Sequence, residues 1–202
     1  MGAAKIHLSP QELELISRPD FILTKNAVLQ KLKTFLEDVQ GKQQLIMKQY
    51  GGHIPDEVLK VSPKISKGEN YKGFPWLVLD YPRYFTSGNI FAIRTMFWWG
   101  NFFSLTLHVS GKHKKKIQDK VINAYPLLAE KEFYWGTGHD EWQHHFETGN
   151  YTPLKKSDYN FFAGTIRKKS FLKLAKKFSL DKTETMEEFL CRDYELLVKI
   201  CG

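Results

Sequence analysis

The stretch Ile90–Gly111, IFAIRTMFWWGNFFSLTLHVSG, limits what this chain can fold into more than any other. Two runs of β-branched and aromatic residues flank a short polar turn, which is the pattern of a β-hairpin. Strand side chains alternate between faces. Phe103, Leu105, Leu107 and Val109 therefore share one side, and Phe102, Ser104, Thr106, His108 and Ser110 the other. In the first run Phe91, Ile93, Thr95 and Phe97 form the more apolar set, while Arg94 stands with Met96 and Trp98. A three-residue turn, Trp99-Gly100-Asn101, aligns the two apolar sets, with Asn101 expected to adopt the left-handed conformation. It also puts Arg94 on one floor with Ser104, Thr106 and His108. A two-residue turn would instead set Arg94 against Leu107, a costly burial unless the guanidinium is paired.

The flanking segments predict what this hairpin packs against. Ser9-Pro10-Gln11-Glu12 is a capping box with proline in the first turn, so a short helix should follow and stop near Arg18-Pro19. A longer helix then carries Val28, Leu32, Phe35, Leu36 and Val39 on one stripe and ends at Gly51-Gly52. Residues 53–73 look loop-rich. Trp76–Asp80 reads as a buried strand ended by Pro82. His113–Ala124 is helical, Glu132–Trp135 offers a fourth strand, and 140–147 is either a turn or two of helix or a loop. Residues 157–178 read as a basic amphipathic helical region with Phe171, Leu174, Ala175 and Phe178 as its stripe. Thr185-Met186-Glu187-Glu188 is a second capping box, opening a terminal helix. Helices, then strands, then helices predict one α+β domain over residues 1–202: an antiparallel sheet of about four strands with a central aromatic hairpin, packed against N- and C-terminal helices.

A chain of 202 residues can bury a substantial core. The net charge of +8 is uneven, at +4 over residues 1–111, +7 over 112–182 and −3 over 183–202. A basic middle and an acidic tail suit intramolecular pairing, and they also attract anionic partners. Cys191 and Cys201 lie ten apart in a helical pattern, about 15 Å along the axis, too far for a disulfide. Reduced thiols and the lack of an apolar leader or an 18-residue apolar run point to a cytoplasmic protein with no membrane span.

Three constellations carry possible chemistry. The first is an aromatic-lined pocket for a small anionic ligand. Arg83 and Arg94 would anchor the anion, Tyr81, Trp98 and Trp99 would wall it, and His108 would exchange a proton if a reaction occurs. The competing account is a structural network in which Arg94 pairs with Asp80. The second is His139-Asp140-Glu141-Trp142-Gln143-His144-His145. On a helix, Asp140 with His144 and Glu141 with His145 would offer metal ligands from one face. A third ligand from His108 or His113 would then make a metal-dependent hydrolase. The third is the set of lysines at 112 and 114–116 with Arg167, Lys168, Lys169, Lys173, Lys176 and Lys177, either a solvated face or a nucleic-acid surface. Exposed Trp98, Trp99 and Phe102 at the hairpin tip would favour a homo-oligomer. No motif names a cofactor. GENYKGFPWLVLDYPRYF followed by FAIRTMFWWGNFF resembles the core of uncharacterised conserved bacterial proteins, best over residues 68–111. The resemblance implies no activity, ligand or site.

Overall fold

The computed structural model describes residues 5–202. Helix α1, Pro10–Ile16, opens on the expected capping box: the Ser9 hydroxyl accepts from the Glu12 amide, and the Glu12 carboxylate accepts from the Ser9 amide. It buries no residue. Helix α2, Pro19–Tyr50, turns Leu36, Val39, Gln43 and Met47 inward. Gln43 is a polar residue at a core position; its Nε2 donates to the Thr95 hydroxyl at 3.0 Å, while its Oε1 is buried without a partner. A short helix, α3 (Asp56–Leu59), leads to the sheet.

Strands β1 (Lys64–Tyr71), β2 (Phe74–Thr86), β3 (Asn89–Trp98) and β4 (Phe102–Ser110) form an antiparallel meander. Helices α4 (Gly111–Asn123) and α5 (Tyr125–Glu130) follow. Strands β5 (Tyr134–Gly136) and β6 (Tyr151–Pro153), helix α6 (Tyr159–Lys168), strand β7 (Phe171–Phe178) and helix α7 (Met186–Cys201) complete the chain. The sheet has seven strands in the order β1-β2-β3-β4-β7-β5-β6, with antiparallel neighbours throughout. The α+β class and the antiparallel sheet flanked by helices agree with the expectation; the count of four strands does not.

The three extra strands were hidden for different reasons. β1, KISKGENY, is an edge strand whose lysines and glutamate erase the apolar alternation, as edge strands commonly do. β6 has only three residues. β7, FLKLAKKF, fits a helical stripe, but it also alternates, with Leu172 and Leu174 on the core side and Lys173 and Ala175 opposite. The alternation wins because β4 offers a full-length partner, from Phe103 against Phe178 to Ser110 against Phe171.

The hairpin has the three-residue turn, with Trp98 opposite Phe102. Its left-handed residue is Gly100, at φ +69°, rather than Asn101. Glycine adopts that conformation without a Cβ clash, and Asn101 instead donates from its side chain to the Trp99 carbonyl. At the last helix Thr185 makes no side-chain cap, although the helix starts where expected.

One sheet face meets α2, α4 and α7 and forms the core around Leu79, Phe91, Ile93, Leu105 and Leu107. On that face Lys176 pairs at 2.8 Å with Asp193 of α7, which is 1% exposed. This is one instance of the basic middle meeting the acidic tail. Over the centre of the opposite face lies the chain's own segment 137–150, between β5 and β6, in contact with Tyr71, Arg94, His108 and Lys173.

Candidate functional site: a buried polar cluster beneath segment 137–150

Sheet register assembles the cluster. Asp80 of β2 stands opposite Arg94 of β3, Arg94 opposite Thr106 of β4, and His108 of β4 opposite Lys173 of β7. Neighbouring strands lie about 4.8 Å apart, so these side chains form one polar strip on the face away from the helices. Arg94 Nε and Nη2 donate to the two Asp80 carboxylate oxygens at 2.8 and 2.9 Å. The fork-to-fork geometry is the strong form of this pair.

Segment 137–150 closes over the strip through side chains that the strip itself recruits. Arg94 Nη1 meets His144 Nε2 at 2.7 Å. Burial, reinforced by the Lys173 and Arg94 charges, holds His144 well below the usual imidazole range, so the ring is neutral and Nε2 accepts. Its Nδ1 is left buried without a partner. Burial pushes His108 down to about 3, again aided by Lys173 and Arg94. Its 2.9 Å contact with Glu141 is therefore a hydrogen bond donated by a neutral ring, not an ion pair. Burial in turn raises the Glu141 carboxyl. The Tyr71 hydroxyl accepts from the His144 and His145 amides at 2.7 and 3.1 Å.

Lys173 is the most demanding member. It is 1% exposed, and its Nζ donates to the Gln143 carbonyl and lies 5.0 Å from the Tyr151 ring centre. Among the described residues no carboxylate is paired with it. Burial, with Arg94 adding repulsion, pushes its ammonium down to about 7. The Tyr151 hydroxyl is buried without a partner, and burial raises its pKa. Aromatic rings wall the cluster. Phe146 stacks on Tyr151 at 4.6 Å, and Trp142 and Phe171 meet the His108 ring edge-on at 5.5 and 6.1 Å.

No family model, curated protein or solved structure matches the chain.

The residues singled out from the sequence divide between this cluster and other places. Arg94 and His108 share the floor as expected, and Arg94 takes Asp80 as its partner. Trp98 lies on the same face but is buried, with its indole donating to the Tyr71 carbonyl at 3.1 Å. Tyr81 and Trp99 pack into the helix-side core. Arg83 reaches the Ser62 carbonyl instead of joining Arg94. The Trp98, Trp99 and Phe102 rings are not an exposed tip: the first is buried and the others are half-buried.

Residues 140–147 form no helix, so the four-residue spacing brings no ligands together. Asp140 accepts from the Trp142 amide and the Gln143 side chain, Glu141 holds His108, and His144 meets Arg94. His145 lies 3.5 Å from Glu147, while His139 is exposed. Among the described residues no three His, Cys, Asp or Glu side chains are placed to hold a metal ion. None of the described helices is long and apolar enough to cross a membrane. The sequence reading puts Lys173 in the basic lysine set and Gln143 within the metal-ligand segment, and it gives Tyr151 and Tyr71 no role here. Reading FLKLAKKF as a strand would have exposed Lys173 as a lone cation between two core leucines.

Proposed function

We propose that this protein binds a small anionic ligand at the Arg94–Lys173 cluster, with segment 137–150 as the element that yields to it. The observation that supports this reading is Lys173, a fully buried amine, protonated below about pH 7, whose hydrogen-bond acceptor is a backbone carbonyl. Buried charges are normally matched by a counter-charge, because desolvation is otherwise uncompensated. Strongly perturbed groups grouped with further titratable side chains are common at functional sites. An incoming carboxylate or phosphate would take the place of the Gln143 carbonyl on Lys173 and of His144 on Arg94 Nη1. Tyr151, beside Thr106, would donate its hydroxyl, and Phe146, Trp142 and Phe171 would supply the aromatic wall.

Calorimetric titration with inorganic phosphate and with mono- and dicarboxylates tests the reading. Saturable binding that Lys173→Met abolishes, with the variant still folded by near-UV circular dichroism, is the expected result. Equal binding by the variant, or heats indistinguishable from dilution for every anion, would overturn it.

A further inference from the structure

A second basic concavity lies outside this cluster. Two adjoining clefts, of about 370 and 230 Å³, share Glu132, Lys176 and Lys177. Lys155 and Lys156, just after β6, line the first, and Lys182 and Arg192 line the second. Six cationic residues thus line the two clefts beside one lining carboxylate, Glu132, with Lys176 and Lys177 turning to opposite faces of β7. Lys176 and Arg192 also share a single buried carboxylate, Asp193, at 2.8 and 3.2 Å. A solvated lysine face would spread its charges over convex surface. Here they line two connected clefts, where a concave wall strengthens the field of clustered like charges.

The charged heads are also held in place. Lys177 lies 5.9 and 5.7 Å from the Tyr134 and Phe146 ring centres, and Arg192 lies 5.0 Å from that of Phe189. Cation–π contacts of this kind position the heads before any ligand arrives. They also occupy the ring faces on which nucleobases would stack. At the rim, Glu132 holds a left-handed backbone at φ +60°, an uncommon conformation for a residue with a side chain.

We propose that this double cleft binds a linear polyphosphate, a chain of phosphoanhydride-linked phosphates either free or carried on a nucleoside. Two connected basic lobes suit successive phosphates along one chain better than a single orthophosphate. The occupied ring faces leave recognition to the phosphates. The clefts share no lining residue with the polar groups of the Arg94–Lys173 cluster, although Phe146 touches both Lys177 and Tyr151.

The test titrates the full chain with tripolyphosphate, ATP and orthophosphate at two salt concentrations. It repeats this for Lys155→Ala/Lys156→Ala/Lys177→Ala and for an equal charge removal elsewhere, Lys115→Ala/Lys116→Ala/Lys168→Ala. All six positions are exposed, so both variants should fold. Tripolyphosphate should bind roughly tenfold or more tighter than orthophosphate, weaken with salt, and lose roughly tenfold in the cleft variant only. ATP equal to tripolyphosphate would assign the free chain, and ATP tighter would assign a nucleoside-borne one. Equal loss in both variants, or no preference over orthophosphate, would reduce the cleft to a diffuse cationic field and overturn the proposal. A single-stranded oligonucleotide that outbinds tripolyphosphate would overturn it as well.

Discussion

Arg94 and Asp80 stand opposite each other across β3 and β2 and close a bidentate ion pair at 2.8 and 2.9 Å, with Asp80 only 6% exposed. Removing one member leaves the other charge buried and unmatched. Asp80→Asn and Arg94→Met should each lower stability by about 3 kcal/mol. The double variant Asp80→Leu/Arg94→Met should lose clearly less than the sum of the singles. Urea denaturation of the four proteins closes the cycle, and strict additivity would remove the pair from the stability of this face.

Lys173 gives stability a defined pH dependence. Its ammonium falls from 10.5 to about 7 in the folded protein. Between these values the unfolded chain binds more protons than the folded one, so stability rises with pH across that window. The contribution is complete above 10.5 and is lost as pH falls to about 7. The slope approaches about 1.4 kcal/mol per pH unit. Lys173→Met should remove this slope. Denaturation midpoints from pH 7 to 10 for both proteins, compared as a difference, show whether it does.

The neutral His108 ring makes a spectroscopic prediction. With its pKa pushed down to about 3, the ring should stay neutral as pH is lowered from 8 to 5, with the proton on Nε2 facing Glu141. Nitrogen-15 shifts of the imidazole report both state and tautomer. A midpoint near 6.5 would mean that segment 137–150 does not shield the ring.

Loss of the Glu141 acceptor should loosen that segment without unfolding the sheet. Glu141→Ala should cost about 1–2 kcal/mol of local stability, whereas Glu141→Gln keeps an acceptor for His108 and should cost less. Amide hydrogen exchange separates the cases: faster exchange confined to residues 137–150 is expected in the alanine variant.

Two glycines with similar backbones should differ in tolerance. Gly100 has φ +69° with open space where a Cβ would sit, so Gly100→Ala should cost only the backbone strain, about 1 kcal/mol. Gly111 has φ +57°, and a Cβ there would lie 2.1 Å from the Gly88 carbonyl oxygen. Gly111→Ala should lower the melting temperature several times further than Gly100→Ala does.

The legible part of this fold is where alternation and turn chemistry agree. From Ile90 to Gly111 the pairing of Arg94 with Thr106 follows from strict parity and a three-residue turn, and half of the polar floor follows with it. The other half depends on β7, where Lys173 sits in a segment that satisfies both periods until β4 selects one. Trp99 lies past the ladder, and Tyr81 follows Asp80 on the opposite face, so proximity in sequence to Arg94 placed neither beside it. Segment 137–150 has no periodicity to read. Its path is set by contacts with Tyr71, Arg94, His108 and Lys173, all distant in sequence.

The insertion of β7 between β4 and β5 has a consequence during synthesis. A nascent chain that has released the meander exposes the outer edge of β4, with its unpaired amides and carbonyls, until β7 emerges about 60 residues later. At ribosomal speed that wait is roughly 3–12 s. An open strand edge is a template for pairing with other chains. Overproduction that crowds polysomes should therefore send this protein into inclusion bodies through β4, and slower translation or a holding chaperone should spare it.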